Sequence, residues 1–170
     1  MRLADLIKEG VQTLSALYPE REAREMVYAA LENLLGTTRH THILEPCYKV
    51  SDDDLAEVRD AFAKLASSEP LQYVLKEAWF YGRRFNVSPD VLIPRPETEL
   101  LCRTVIDSPS AMAISDGCPI RLLDLCTGSG CIAWTMALEL PGSDVVAVDI
   151  SDGALKVADG QAFFEEMSST

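Results

Sequence analysis

Two acidic residues and a glycine-containing segment between them are the part of this sequence best suited to chemistry. Asp124 lies near the end of an apolar run, residues 126–130 read Cys-Thr-Gly-Ser-Gly, and Asp149 lies near the end of the next apolar run. Gly128 and Gly130 carry no Cβ, so the backbone can turn sharply there and a ligand can approach closely. A helix predicted to start just after them turns its free N–H groups toward the same space. The pattern indicates a nucleotide site at the carboxyl ends of two parallel strands.

Two classes of nucleotide fit this pattern. A nicotinamide dinucleotide is bound by G-x-G-x-x-G/A, and Gly128, Gly130 and Ala133 have that spacing. S-adenosyl-L-methionine has no pyrophosphate but carries a ribose and a cationic methionine end. Asp124 would attract that cation and repel a pyrophosphate, and Asp149 would accept hydrogen bonds from both ribose hydroxyls. We therefore favour S-adenosyl-L-methionine and keep an NAD-dependent oxidoreductase domain as the alternative, beside a tight strand–helix turn that binds nothing.

The elements that must position these residues follow a strand–helix–strand order. Residues 120–125 and 145–150 are apolar runs typical of strands in a buried parallel sheet. Residues 131–140 between them predict a helix that ends before a Pro-Gly pair. Ser151 is expected to cap a last helix, which we predict to run to about residue 166.

The first 75 residues repeat apolar side chains at spacings of three and four, which is typical of amphipathic helices. Ser51 precedes three aspartates, and a hydroxyl N-cap followed by acids stabilises a helix start. The segment at 37–46 is ambiguous. These features predict a small helical bundle over residues 1–75. Helices are predicted over residues 3–18, 20–35, 52–67 and 70–75.

The next segment, residues 76–99, has the character of a connector. An aromatic run at 79–87 contains a central glycine and predicts a β-hairpin. Three prolines between residues 88 and 96 exclude a regular helix there. A short helix is predicted at 97–107, followed by a loop over 108–119.

Composition excludes several classes of protein. The chain has 170 residues, 48% hydrophobic and 25% charged, which is typical of a globular protein. Its net charge of −12 would be repelled by phosphate backbones, so we expect no direct nucleic-acid binding. There is no run of about 20 apolar residues and no signal peptide at the N-terminus. We therefore expect no membrane association and a cytoplasmic location.

Cysteine and histidine usage argues against a metal site. The five cysteines include no C-x-x-C pair, which favours reduced thiols over a disulfide framework or a zinc site. His40 and His42 form an isolated H-x-H, whereas a structural zinc site uses four nitrogen or sulfur ligands. We predict no metal ligand in this chain.

Six segments together resemble the HemK/PrmC family, whose members are glutamine N5-methyltransferases that modify peptide-chain release factors. The run Ile-Pro-Arg-Pro-Glu-Thr-Glu ending at Glu99 is similar to the release-factor branch of that family. The glycine loop taken alone would indicate only a class I methyltransferase. The segments are residues 69–75, 80–82, 85–87, 91–99, 124–133 and 145–151.

The resemblance implies an α/β fold: an N-terminal helical bundle plus a partial class I, Rossmann-like, S-adenosylmethionine-dependent methyltransferase domain. Residues 1–75 would recognise the release factor, residues 76–99 would shape the entry of the substrate glutamine, and residues 100–170 would be the first part of a truncated methyltransferase domain. The cofactor would be S-adenosyl-L-methionine, and we expect a monomer. The resemblance implies these cofactor-binding residues: Asp124, Cys126, Thr127, Gly128, Ser129, Gly130 and Asp149.

Three departures from the family pattern matter. Cys126 and Lys76 stand where the family usually has glycine. We expect an ordinary negative φ at Cys126, since a positive φ would cost about 1 kcal/mol or more, and we expect Lys76 to be a surface substitution. The third departure is the family's substrate-binding motif Asn-Pro-Pro-Tyr, which is absent because neither asparagine of this chain precedes a proline.

The missing motif limits what this chain can do alone. We assign no catalytic residue and predict a C-terminally truncated fragment with at most weak cofactor binding and no turnover. A two-stranded parallel piece would also leave apolar side chains such as those of residues 145–148 poorly covered. A non-catalytic helical interaction module is the alternative that is not an enzyme.

Overall fold

The computed structural model describes residues 1–108 and 119–161. The chain divides into two compact units, Met1–Leu75 and Lys76–Thr170. Most of the loop predicted at 108–119 and the end of the last predicted helix lie outside the described residues. None of the helices in the described ranges has the length and apolar character needed to span a bilayer.

The first unit is helical, as the apolar spacing predicted. Gly36 ends the second helix with a φ of 63°, and the Ser51 hydroxyl accepts the N–H of Asp54 at 3.1 Å where the fourth begins. The first helix ends at Leu14 rather than 18, and a turn in which Leu14 O accepts the N–H groups of Leu17 at 3.0 Å and Tyr18 at 2.9 Å leads to Pro19. The helices are α1 (Leu3–Leu14), α2 (Glu20–Leu35), α3 (Thr41–Leu44), α4 (Asp52–Ala66) and α5 (Leu71–Leu75).

The core of this unit lies among α1, α2 and α4, where helix backbones approach closely. A Cβ added to Gly10 of α1 would lie 2.6 Å from the Phe62 ring and 2.9 Å from Val27 Cγ2. Each large apolar side chain buried here contributes about 1.5–3 kcal/mol. The largest fully buried side chains of this core are Leu3, Leu6, Leu14, Val27, Leu31, Val58 and Leu65.

The second unit begins with the predicted hairpin. Strands β1 (Glu77–Phe80) and β2 (Arg83–Asn86) pair antiparallel. Both residues of the connecting turn, Tyr81 and Gly82, have positive φ values of 50° and 74°. Positive φ at both central residues matches the right-handed twist of the paired strands.

The predicted strand–helix–strand unit follows and confirms the α/β class. Helix α6 (Pro96–Ile106) starts with a proline, which suits the first helical position. Strands β3 (Arg121–Leu125) and β4 (Asp144–Val148) pair in parallel and flank helix α7 (Cys131–Glu139); helix α8 (Asp152–Asp159) follows. The hairpin, α6 and α7 share a second core whose buried members are Phe80, Phe85, Cys102, Cys131, Met136 and Leu140.

One face of the two-stranded sheet remains exposed. Leu123 lies opposite Val146 and Leu125 opposite Val148, and these side chains are 60%, 46%, 66% and 40% exposed. Val145, on the other face, packs against the second core. Because parallel sheets are normally covered on both faces, this face has the character of a surface that further structure covers.

The expected negative φ at Cys126 is wrong. Cys126 has a φ of 62° and Lys76 a φ of 59°, and both side chains are exposed. The chain turns at residue 126 because Thr127 is held on both sides: its N–H reaches Val148 O at 3.0 Å and its hydroxyl reaches Asp124 at 2.7 Å. The left-handed backbone explains why glycine suits positions 76 and 126, since a Cβ there costs about 1–2 kcal/mol.

We expect Gly10→Ala to destabilise the first unit by about 1–2 kcal/mol, because the overpacking penalty exceeds the gain in helix propensity. Urea unfolding followed by far-ultraviolet circular dichroism measures the change. Gln12→Ala, at an exposed position of the same helix, is the control and should change stability by less than about 0.5 kcal/mol. A Gly10→Ala protein as stable as the parent would contradict the close packing.

We expect Cys126→Gly to stabilise the second unit by about 0.5–1 kcal/mol, since relief of left-handed strain outweighs the added freedom of the unfolded chain. Cys126→Ala removes the same thiol but keeps a Cβ, so it should bring no gain. Denaturant unfolding of the two variants, compared by their midpoint concentrations, measures the difference in stability. Equal midpoints would show that the backbone at position 126 carries no strain.

Candidate nucleotide-binding site

The site is the turn that joins β3 to α7, here called the nucleotide loop (residues 126–130). Gly128 and Gly130 have φ values of 55° and 78°. A Cβ added to Gly130 would lie 2.9 Å from Trp134 Cδ1 and 3.1 Å from Ala158 Cβ, so only glycine fits both the backbone and the space. A Cβ added to Gly128 would meet nothing within 4 Å, so the space in front of this residue is open to a ligand.

Asp149 holds the loop from the end of β4. Its Oδ2 accepts the N–H of Gly128 at 2.9 Å, and its Oδ1 accepts the N–H of Ser151 at 3.0 Å. The N–H groups of Ser151 and then Gly128 hold the pKa of Asp149 below its ordinary value. The carboxylate is therefore ionised at neutral pH, and each oxygen keeps lone-pair capacity for a further donor.

Asp124 holds the same loop from β3. Its Oδ2 accepts the Thr127 hydroxyl at 2.7 Å, and Asp124 lies opposite Ala147 of β4 in the strand register. Both acids predicted from the sequence therefore contact one loop, Asp124 at its second residue and Asp149 at its third. This arrangement places two carboxylates beside a turn whose outer side is open.

The loop side chains divide into an exposed one and buried ones. Cys126 is exposed, whereas Thr127 and Ser129 are 6% and 2% exposed. The Thr127 hydroxyl is already used by Asp124, and the Ser129 hydroxyl is fully buried beside Cys131. Thr127 and Ser129 are thus placed to contribute backbone groups, rather than side chains, to a ligand.

A large cavity among the described residues reaches the nucleotide loop only at Gly130. It measures about 710 Å³ and lies among α7, α8 and β4, where its lining includes Trp134, Leu155 and Val145. Neither Asp124 nor Asp149 lines it. We therefore place the candidate site at the open side of the nucleotide loop and not in this cavity.

The connector hairpin contacts the same part of the fold through polar groups. The N–H of Tyr81 donates to Glu99 Oε1 at 2.9 Å, which ties the hairpin turn to α6. Arg83 Nη1 lies 2.7 Å from Glu139 Oε1 of α7, and the two side chains are 26% and 30% exposed. Gln161, which no sequence pattern singled out, is 3% exposed and bonds to both the hairpin and the loop. A single glutamine after a helix end gives no signal in one sequence.

Cysteine and histidine positions give no metal centre in the described residues. Burial raises the pKa of Cys102 to about 11, and it also raises the pKa of Cys131. Both are free thiols, and they stay protonated and unreactive at neutral pH. His42 stacks against Tyr28 with 6.1 Å between ring centroids, which is a packing role.

Comparison with known proteins covers both units. Residues 5–75 match the family model described as the PrmC N-terminal domain. The chain is 36% identical over 160 residues to the release factor glutamine methyltransferase of Flavobacterium psychrophilum, covering 94% of this chain and 55% of that protein. The corresponding proteins of Chlorobaculum tepidum and Bacillus subtilis are 37% and 34% identical, covering 89% and 91% of this chain and 53% and 48% of those proteins.

The chain spans about half the length of the curated relatives it matches. A match over 160 of its 170 residues necessarily includes the nucleotide loop, Asp124 and Asp149. The helical unit, the loop and both acids thus all lie within segments shared with proteins named release factor glutamine methyltransferase. The chain belongs to the HemK/PrmC family.

Proposed function

We propose that this chain is part of an S-adenosyl-L-methionine-dependent methyltransferase that acts on the side-chain amide nitrogen of a glutamine in peptide-chain release factors. The observation that carries the proposal is a loop held between the carboxylates of Asp124 and Asp149. It occurs in a chain whose relatives are named release factor glutamine methyltransferases.

The residues of the loop fit the cofactor. When bound, S-adenosyl-L-methionine would supply an electrophilic methyl group. Asp149, ionised and half-buried, would accept the ribose hydroxyls, and Asp124 would face the cationic methionine end. The open space at Gly128 lets the nucleoside approach the backbone, with contributions from Cys126, Thr127, Ser129 and Gly130. Two acids at one loop suit a sulfonium better than a pyrophosphate, which they would repel.

We assign binding of the protein substrate to the segments before the methyltransferase unit. Residues 1–75, which match the PrmC N-terminal domain, would bind the release factor, and the connector at 76–99 would shape the entry of its glutamine. An amide nitrogen is a weak nucleophile, so the complete enzyme must orient it toward the methyl group. This chain has no Asn-Pro pair, so we place that task outside residues 1–170. We further propose a cytoplasmic monomer without direct nucleic-acid contact.

A chimera tests the reaction. Residues 1–161 of this chain, joined to the remaining part of the Flavobacterium psychrophilum relative, should transfer radiolabelled methyl groups from S-adenosyl-L-methionine to a release factor. A release factor whose acceptor glutamine is replaced by alanine should remain unlabelled. The chain of 170 residues alone should give no label, because the groups that orient the amide are absent. Label on the alanine variant, or clear label from this chain alone, would contradict the proposal.

Asp149→Ala in the same chimera tests the assignment of the cofactor. We expect at least about tenfold weaker binding of S-adenosylhomocysteine, since a charge-assisted hydrogen bond of about 1.5–3 kcal/mol is lost. Asp152→Asn, an exposed acid in the first turn of α8, is the matched control and should bind like the parent. Calorimetry with both S-adenosylhomocysteine and NAD separates the two nucleotide classes. Heat of binding with NAD alone would favour the oxidoreductase alternative.

A further inference from the structure

Gln161 is a buried side chain with all of its main hydrogen-bonding groups engaged. It is 3% exposed. Its Nε2 donates to Ser129 O at 2.9 Å and to Asn86 O at 3.0 Å, and its Oε1 accepts the N–H of Asn86 at 2.8 Å. A glutamine amide offers two donors and one carbonyl oxygen, so both donors and the acceptor are satisfied.

These bonds connect three parts of the second unit. Asn86 is the last residue of β2 in the connector hairpin, and Ser129 is the fourth residue of the nucleotide loop. Gln161 itself follows the end of α8, and there the Asn86 side chain donates to Gly160 O at 3.1 Å. One buried amide therefore joins the hairpin, the loop and the segment after α8.

The bond to Ser129 acts on the peptide that joins Ser129 to Gly130 in the loop. The Ser129 carbonyl and the Gly130 N–H share one peptide plane, and that N–H donates to Thr127 O at 2.9 Å. Gly130 has a φ of 78°, and a glycine offers little conformational resistance to rotation of that plane. The Gln161 amide thus holds the plane from the carbonyl side.

We propose that Gln161 is a positioning residue, which fixes the peptide between Ser129 and Gly130 in its binding geometry and couples the nucleotide loop to the connector hairpin. The ligand side of this inference rests on the proposed function; the coupling itself does not. It follows that the segment assigned to the substrate glutamine and the loop assigned to the cofactor respond together. A ligand that orders the loop also orders the end of β2.

Two substitutions of Gln161 by side chains of similar size distinguish the contributions of its hydrogen bonds. Gln161→Met keeps the volume but removes all three hydrogen bonds. Gln161→Glu keeps an acceptor for the Asn86 N–H and removes both donations. Asn86→Ala is the matched control, because it removes only the side-chain bond to Gly160 O and leaves the backbone groups that face Gln161.

Amide hydrogen exchange of the 170-residue chain provides the readout, because three N–H groups of the loop are hydrogen-bonded: Thr127 to Val148 O, Gly128 to Asp149 Oδ2 and Gly130 to Thr127 O. In Gln161→Met we expect these amides to exchange about tenfold faster, as for one buried carbonyl left unsatisfied. The paired amides of β3 and β4 should keep the rates of the parent. Asn86→Ala should leave the loop amides unchanged.

Several results would overturn the proposal. Unchanged loop exchange in Gln161→Met would show that the amide does not hold the loop. A uniform increase across the second unit would show general structural support instead of positioning. If Gln161→Met does not fold, Gln161→Glu decides: faster loop exchange with a protected Asn86 amide supports the proposal, and failure of both variants to fold refutes it.

Ligand binding to the chimera described above tests whether the loop geometry held by Gln161 matters for the cofactor site. S-adenosylhomocysteine should bind about tenfold more weakly to the Gln161→Met chimera than to its parent, again the effect of one unsatisfied buried carbonyl. If the parent chimera binds no S-adenosylhomocysteine, the proposed function fails while the exchange result still stands. If both chimeras bind equally well, the positioning role fails while the proposed function stands.

Discussion

The second unit depends on two carboxylates at the ends of neighbouring parallel strands that hold one loop. Asp124 accepts the Thr127 hydroxyl and Asp149 accepts the Gly128 N–H. The parallel register, with Leu125 opposite Val148, is what brings the two acids to the same edge. Because a charge-assisted hydrogen bond is stronger than a neutral one, these two bonds define the loop before any ligand is present.

The loop geometry has a cost that the surrounding bonds offset. The left-handed backbone at Cys126 opposes folding by about 1–2 kcal/mol. A strained residue persists only where its neighbours over-determine it, and here Thr127 is held by both its N–H and its hydroxyl while Gly130 has no space for a Cβ. The hydrogen bonds of Thr127 therefore determine the φ of Cys126, against the preference of a non-glycine residue for negative φ.

What the sequence predicts well is what local spacing encodes. The helix at 20–35 agrees with α2 (Glu20–Leu35), and the strand at 120–125 with β3 (Arg121–Leu125), because apolar periodicity and flanking Pro or Gly are local signals. The φ of Cys126 was predicted with the wrong sign, and the contacts of Gln161 were not predicted. Both depend on partners distant in the chain, such as Val148 and Asn86, and no local pattern records such partners.

The proposed enzyme has two tasks, binding the cofactor and orienting the substrate amide, and they depend on different parts of the protein. The nucleotide loop obtains its hydrogen bonds from β3, β4 and Gln161, all within the described residues. Orienting a weakly nucleophilic amide needs acceptors that this chain does not carry as an Asn-Pro motif. The exposed face of Leu123, Leu125, Val146 and Val148 is where additional sheet and helix would bury apolar surface. The geometry of the nucleotide loop is thus set by contacts among the described residues. Orientation of the substrate amide needs hydrogen-bond acceptors that we place outside residues 1–170.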